Sequence, residues 1–173
     1  MNEAAYEAIN EAWQLTVRTR ALCPHAQDSA IGKEEYESPS WYQERDANFR
    51  VKPIEPLQKE DIEALRKIGR FVNQSFVISM AAILEEHDVI PYGVMPDDLR
   101  NGGKHAKLTK LLRHRFAHGQ STFDLNDKEH VKTRDLLEEL FPDEAKHSDF
   151  PIPIDTVLEP LKNGVLRYIQ ATT

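Results

Sequence analysis

Six basic residues, Arg100, Lys104, Lys107, Lys110, Arg113 and Arg115, fall between Leu99 and Phe123, a stretch with no Asp or Glu. His105, His114 and His118 lie in the same stretch. Three kinds of chemistry compete for this cluster. Basic side chains near a helix C-terminus complement the helix macrodipole, which is a structural role and no more. His114 and His118 are four apart, the spacing with which two imidazoles on one helix turn reach one metal ion. The Glu of a His-Glu-x-x-His motif is missing, however, because Arg115 stands there, and cations crowd the site. The third chemistry is phosphate transfer. Histidine titrates near neutrality and moves protons, and arginine stays charged and grips two phosphate oxygens. Together they can deprotonate a ribose 2′-hydroxyl and stabilise the charge that develops on the attacked phosphorus, with no metal.

A helix over Lys104 to Ala117 must position these groups, with Gly119 as the residue after its cap. On its wheel Leu108, Leu112 and Phe116 form a buried stripe, and Lys107, Lys110, Arg113, His114 and His118 lie on the other side. Arg115 is the misfit and must either snorkel or meet a carboxylate. Lys107, Lys110 and Arg115 are the candidate phosphate contacts around Arg113, His114 and His118. Gly102-Gly103 before the helix reads as an entry hinge, with a phosphate-facing turn as the weaker alternative.

The other elements follow from periodicity and breakers. Ala5, Ile9, Trp13 and Val17 mark a helix from Asn2 to Leu22, stopped by Cys23-Pro24. Pro24 to Pro56 has no sustained period but carries Tyr36, Trp41, Tyr42 and Phe49. It reads as an insert packed by its aromatics, with a short helix near Trp41 to Asp46. The strongest helix, Gln58 to His87, has the stripe Ile62, Leu65, Ile68, Val72, Phe76 and Ile83. It turns apolar nearly all round after Phe71, as suits a central helix or one shared with a second subunit. Pro91, Pro96 and the two glycines make Ile90 to Gly103 a loop. Asn126 with Glu129 has capping-box spacing and opens a helix to Leu140, which Phe141-Pro142 ends. A last helix runs from Ile154 to Gln170, weakened by Pro160 and Gly164. Strands are not expected. The fold class is all-α, an up-and-down bundle of four or five helices in a single domain over residues 1–173.

The chain has 173 residues, 22 Lys+Arg against 29 Asp+Glu, and a net charge of −7. Outside the basic stretch the balance is 16 against 29, or −13. That excludes a general coating of nucleic acid but leaves room for a local anion site. One cysteine excludes a disulfide scaffold and fits a reducing compartment. The acidic start and the short apolar runs point to a cytoplasmic chain with no membrane segment. His25, His87, His130 and His147 read as surface or packing residues.

The run from Leu111 to Gly119 resembles the signature of the HEPN superfamily: arginine, a polar residue, three residues, then histidine, late in a four-helix bundle. Arg113 matches the arginine, His114 the polar position and His118 the histidine, with Phe116-Ala117 and Gly119 in keeping with the surroundings. The resemblance is sharp over that run and looser, by helix order, from Gln58 onward; Pro24 to Pro56 matches nothing. It implies a homodimer whose motifs meet at the subunit interface, acting as a metal-independent endoribonuclease without cofactor. Such proteins belong to toxin–antitoxin and related defence systems, with an antitoxin or nucleotidyltransferase as partner. Arg113 would neutralise the scissile phosphate, His118 would be the acid or base, and His114 would orient it or touch the RNA backbone. The alternative is a catalytically silent helical protein that binds RNA, nucleotide or a partner protein. Arg113 and His118 are about 140° apart around a regular helix. Either the helix unwinds at Ala117 to Gly119, or two subunits supply the pair.

Overall fold

In the computed structural model, which describes residues 2–22, 35–36, 55–96, 98–119, 124, 126–146 and 152–172, the chain is mostly helical. The helices are α1 (Glu3–Leu22), α2 (Lys59–Glu86), α3 (Gly103–Ala117), α4 (Lys128–Leu140) and α5 (Glu159–Ala171). One two-residue antiparallel ladder joins β1 (Glu35–Tyr36) to β2 (Leu57–Gln58) and corrects the expectation of no strand. It ties the insert to the entry of α2. The helix expected near Trp41 to Asp46, and the aromatics Trp41, Tyr42 and Phe49, lie outside the described residues. Among the described residues no helix is long and apolar enough to cross a membrane.

Local chemistry sets the helix ends. The Asn2 side chain accepts from the Ala5 N–H at 3.2 Å and donates to the His87 carbonyl at 2.7 Å, capping α1 and closing the end of α2. The cap of α4 is Asp127 rather than Asn126. The Asp127 carboxylate accepts from the N–H groups of Glu129 at 2.8 Å and His130 at 3.4 Å. Asn126 is held outside the helix because its N–H and its amide both donate to Asp124 Oδ1, at 2.9 and 3.1 Å. Glu129 is then the second helical residue, not the third, and no capping box forms. The last helix begins as a π-turn over Ile154–Leu158, in which Val157 and Leu158 both donate to the Pro153 carbonyl. Pro160 falls in the first turn of α5, directly after the π-turn whose last bond runs from the Glu159 N–H to the Ile154 carbonyl; having no N–H, it cannot continue that ladder.

Contacts divide the chain into two compact units, Met1–Ala12 with Asn73–Thr173, and Trp13–Val72. In the Trp13–Val72 unit, Leu57 and Ile62 pack with Leu65. Ile68, expected in the buried stripe of α2, is exposed there at 45%, and Phe71 is exposed at 70%. In the larger unit the core is drawn from Ala5 and Ile9, from Phe76, Val77, Met80 and Leu84, and from Leu108, Leu112, Leu137, Leu161, Val165 and Ile169. Within it α3 packs on α5 and α4. Gly102 and Gly164 meet where α3 enters against α5, and the missing side chains allow the close approach.

His105 lies at that junction, its ring against Gly164 and edge-on to Phe141 with centroids 6.3 Å apart. Burial, with the Arg167 charge adding to it, holds its pKa below the ordinary imidazole value. The unfolded chain then binds a proton that the folded chain refuses. Stability is complete above the unfolded value of about 6.5 and is lost as pH falls toward the folded value. Urea midpoints should be lower at about pH 5.5 than at about pH 7.5, and His105→Phe should narrow that gap. An undiminished gap in the variant would put the pH dependence elsewhere.

Candidate functional site

Helix α3 carries five of the six candidate residues and His118 caps its C-terminus, and the packing of the helix sorts them into two groups. Lys110 and Arg115, placed by the sequence among the phosphate contacts, are buried, at 6% and 3% exposure. Arg115 points to the α4 side of the helix. Burial pushes its pKa down, and the Asp127 carboxylate, which caps α4, works in the opposite sense. Arg115 is thus buried rather than snorkelled, within electrostatic reach of the Asp127 carboxylate. Lys110 turns inward because its wheel position, though opposite Leu108 and Leu112, faces the end of α2 and the loop that follows.

There Glu85 of α2, with its side chain 11% exposed, receives two cations. Lys110 Nζ lies 3.1 Å from Glu85 Oε1, and Arg113 Nη1 donates to Glu85 Oε2. Lys110 Nζ also donates to the Pro91 carbonyl at 3.0 Å. Two cations on one carboxylate leave the cluster with a net charge of +1. Arg113 keeps a side-chain exposure of 30%. Its guanidinium carbon is 5.9 Å from the centroid of the Tyr92 ring, within cation–π range. Arginine has five N–H donors, so an ion pair through Nη1 does not exhaust it.

The histidines occupy the other flank. Lys107, Leu111, His114 and His118 follow at spacings of four, three and four, one stripe along the helix. His114 and His118 are exposed, and their ring centroids are 4.7 Å apart at 66°. The helix ends at Ala117, and the last bonds tighten. His118 N–H reaches the Arg115 carbonyl at 3.2 Å, and Gly119 N–H reaches that of Phe116 at 3.1 Å. No hydrogen bond or ring contact among the described residues joins Arg113 to His118. Nor does a third His, Cys, Asp or Glu among them complete a metal group with the two histidines.

An open groove of about 480 Å³ runs beside this stripe, between α3, α4 and the loop before α3. Met95, Leu99, Leu111 and Leu136 give it an apolar lining. Lys104 and Lys132 on its walls are paired with Glu139 and Glu129. Lys107 lines the same groove and has no ion pair among the described residues.

Glu85 and Tyr92 were missed in reading the sequence. Glu85 had a usable signal: a carboxylate in the apolar second half of a helix needs a cation. Tyr92 had none beyond its place between Pro91 and Gly93. His130, read as surface or packing, is a packing residue whose Nδ1 accepts from the Asp124 N–H at 3.0 Å. Set against family models, curated proteins and solved structures, the chain matches none of them.

Proposed function

We propose that the protein is a HEPN-like, metal-independent endoribonuclease of defence or toxin–antitoxin type, its helices forming an up-and-down bundle that works as a homodimer. The observation that carries this reading is the end of α3. Arg113 is fixed through Nη1 by Glu85, while the mutually contacting His114 and His118 are exposed within the same helix turn and a half. A fixed arginine loses little freedom on gripping a phosphate, and an exposed histidine can reach a ribose hydroxyl. His118 acts as acid or base, and His114 orients it. Lys107 draws in the phosphate backbone. Lys110 and Arg115 support the helix from beneath and do not touch RNA. Because Arg113 and His118 lie on different flanks of α3, the second copy brings the missing partner of each pair. The acidic remainder of the chain confines RNA contact to this face and keeps non-specific binding weak. The reading places the protein in the cytoplasm, alongside an antitoxin or nucleotidyltransferase.

The same Arg113–Glu85 pair favours a second reading, in which the arginine is structural and the protein binds RNA, nucleotide or a partner protein without cutting. Incubating the purified protein with RNA in EDTA, beside His118→Ala, separates the two. Cleavage that persists in chelator and disappears in the variant is the expected result. Cleavage that survives His118→Ala would end the histidine assignment. Binding without cleavage would leave the second reading.

A further inference from the structure

Tyr92 is 80% exposed, the largest exposure among the big apolar side chains of the described residues. An exposed aromatic alone needs no explanation. This one is held in place. Val94 N–H donates to the Pro91 carbonyl at 3.1 Å, closing a β-turn with Tyr92 at its tip. Gly93 follows at φ +74°, the left-handed geometry such a turn requires of its third residue. Lys110 Nζ donates to the same Pro91 carbonyl and pairs with Glu85, which in turn holds Arg113. The turn, the lysine, the carboxylate and the arginine are one bonded frame. It presents an open aromatic ring beside the guanidinium proposed to hold the scissile phosphate. We infer that Tyr92 is the base-stacking platform of the site, and that the substrate is therefore unpaired RNA. The inference rests on the ribonuclease reading and adds the substrate class to it.

The physical argument is one of reach. A nucleotide whose phosphate sits on Arg113 has its base a few ångströms away, and the exposed ring next to the arginine offers that base a π-face. Stacking of this kind is open only to bases that can leave their neighbours, as in single strands, loops and bulges. In a duplex each base is already covered on both faces. Every base has a π-face, so the platform selects structure and not sequence.

The test uses the full chain carrying His118→Ala, so that bound RNA stays intact, with a fluorescently labelled oligoadenylate as the unpaired probe. The same strand annealed to oligouridylate is the paired probe. Adding Tyr92→Ala should weaken the unpaired probe about tenfold or more. Tyr92→Phe, which keeps the ring, should bind like its parent, and the paired probe should be indifferent to both. Equal binding of the unpaired probe by Tyr92→Ala overturns the platform. So does an equal loss in Tyr92→Phe, which would assign the effect to the hydroxyl. If the wild-type chain cuts no RNA while binding still depends on the ring, the ribonuclease reading fails and the platform stands. If neither probe binds, both fall together.

Discussion

Arg113→Ala is expected to slow RNA cleavage in chelator by about 10²–10³-fold, the size of effect seen when one donor to a developing oxyanion is removed. It should leave the fold nearly intact. Arg113 is 30% exposed at its side chain, so water can take over the vacated edge of Glu85, and Lys110 remains 3.1 Å from that carboxylate. Arg113→Lys should recover only a small part of the rate. A single ammonium cannot hold Glu85 and also clasp two phosphate oxygens. The reverse deletion behaves differently. Glu85→Ala leaves two cations facing each other, one of them 6% exposed, with no counter-charge in the cluster. It should cost about 3 kcal/mol of stability, as removal of one member of a buried ion pair does. Activity should fall too, because Arg113 loses its anchor. Cleavage rates and urea midpoints, measured on the three variants together, separate the roles. Arg113→Ala cutting at the wild-type rate would make the arginine purely structural.

The contrast between those two deletions also explains what could be read in the sequence. Helix ends were legible where they depend on neighbours in the chain, as at Asn2 and Gly119, whereas Pro160, read as weakening the last helix, sits in the first turn of α5. The basic face was legible as composition, and on a wheel it looked uniform. A wheel knows the angle of a residue but not what packs there. Lys110 and Lys107 are both on the side opposite Leu108 and Leu112, yet one is buried on Glu85 and the other lines an open groove. What separates them is the end of α2, and that is tertiary information. The same holds for Ile68, which belongs to the helical stripe of α2 and is still 45% exposed. Asp127 took the cap from Asn126 because Asp124 engaged the asparagine first, a competition that a spacing rule does not contain.

Gly102→Ala is expected to be the most damaging change that adds a single methyl group. The residue has φ +93°, a conformation that costs an alanine about 1–2 kcal/mol. Its new Cβ would stand 1.9 Å from the Gly164 carbonyl oxygen and 3.0 Å from the Tyr168 nitrogen. Both are backbone atoms of α5 and cannot rotate aside, so α3 and α5 must part, at a further cost of about 1–3 kcal/mol. Gly119 separates the two costs. It has φ +66° with nothing within 4 Å of an added Cβ, so Gly119→Ala should lose only the conformational part, about 1 kcal/mol. Gly164→Ala is a third case, since its Cβ would meet the His105 ring at 2.1 Å. There the obstacle is a side chain, but its own Cβ would stand 2.6 Å away, so His105→Gly, and not His105→Ala, in the same chain should restore part of the loss. No side-chain deletion can rescue Gly102→Ala. Urea midpoints for these four variants test the ordering, and a Gly102→Ala as mild as Gly119→Ala would mean that α3 does not enter against α5. The consequence reaches the site, because that entry point anchors the helix which carries Arg113 and His114 and is capped by His118.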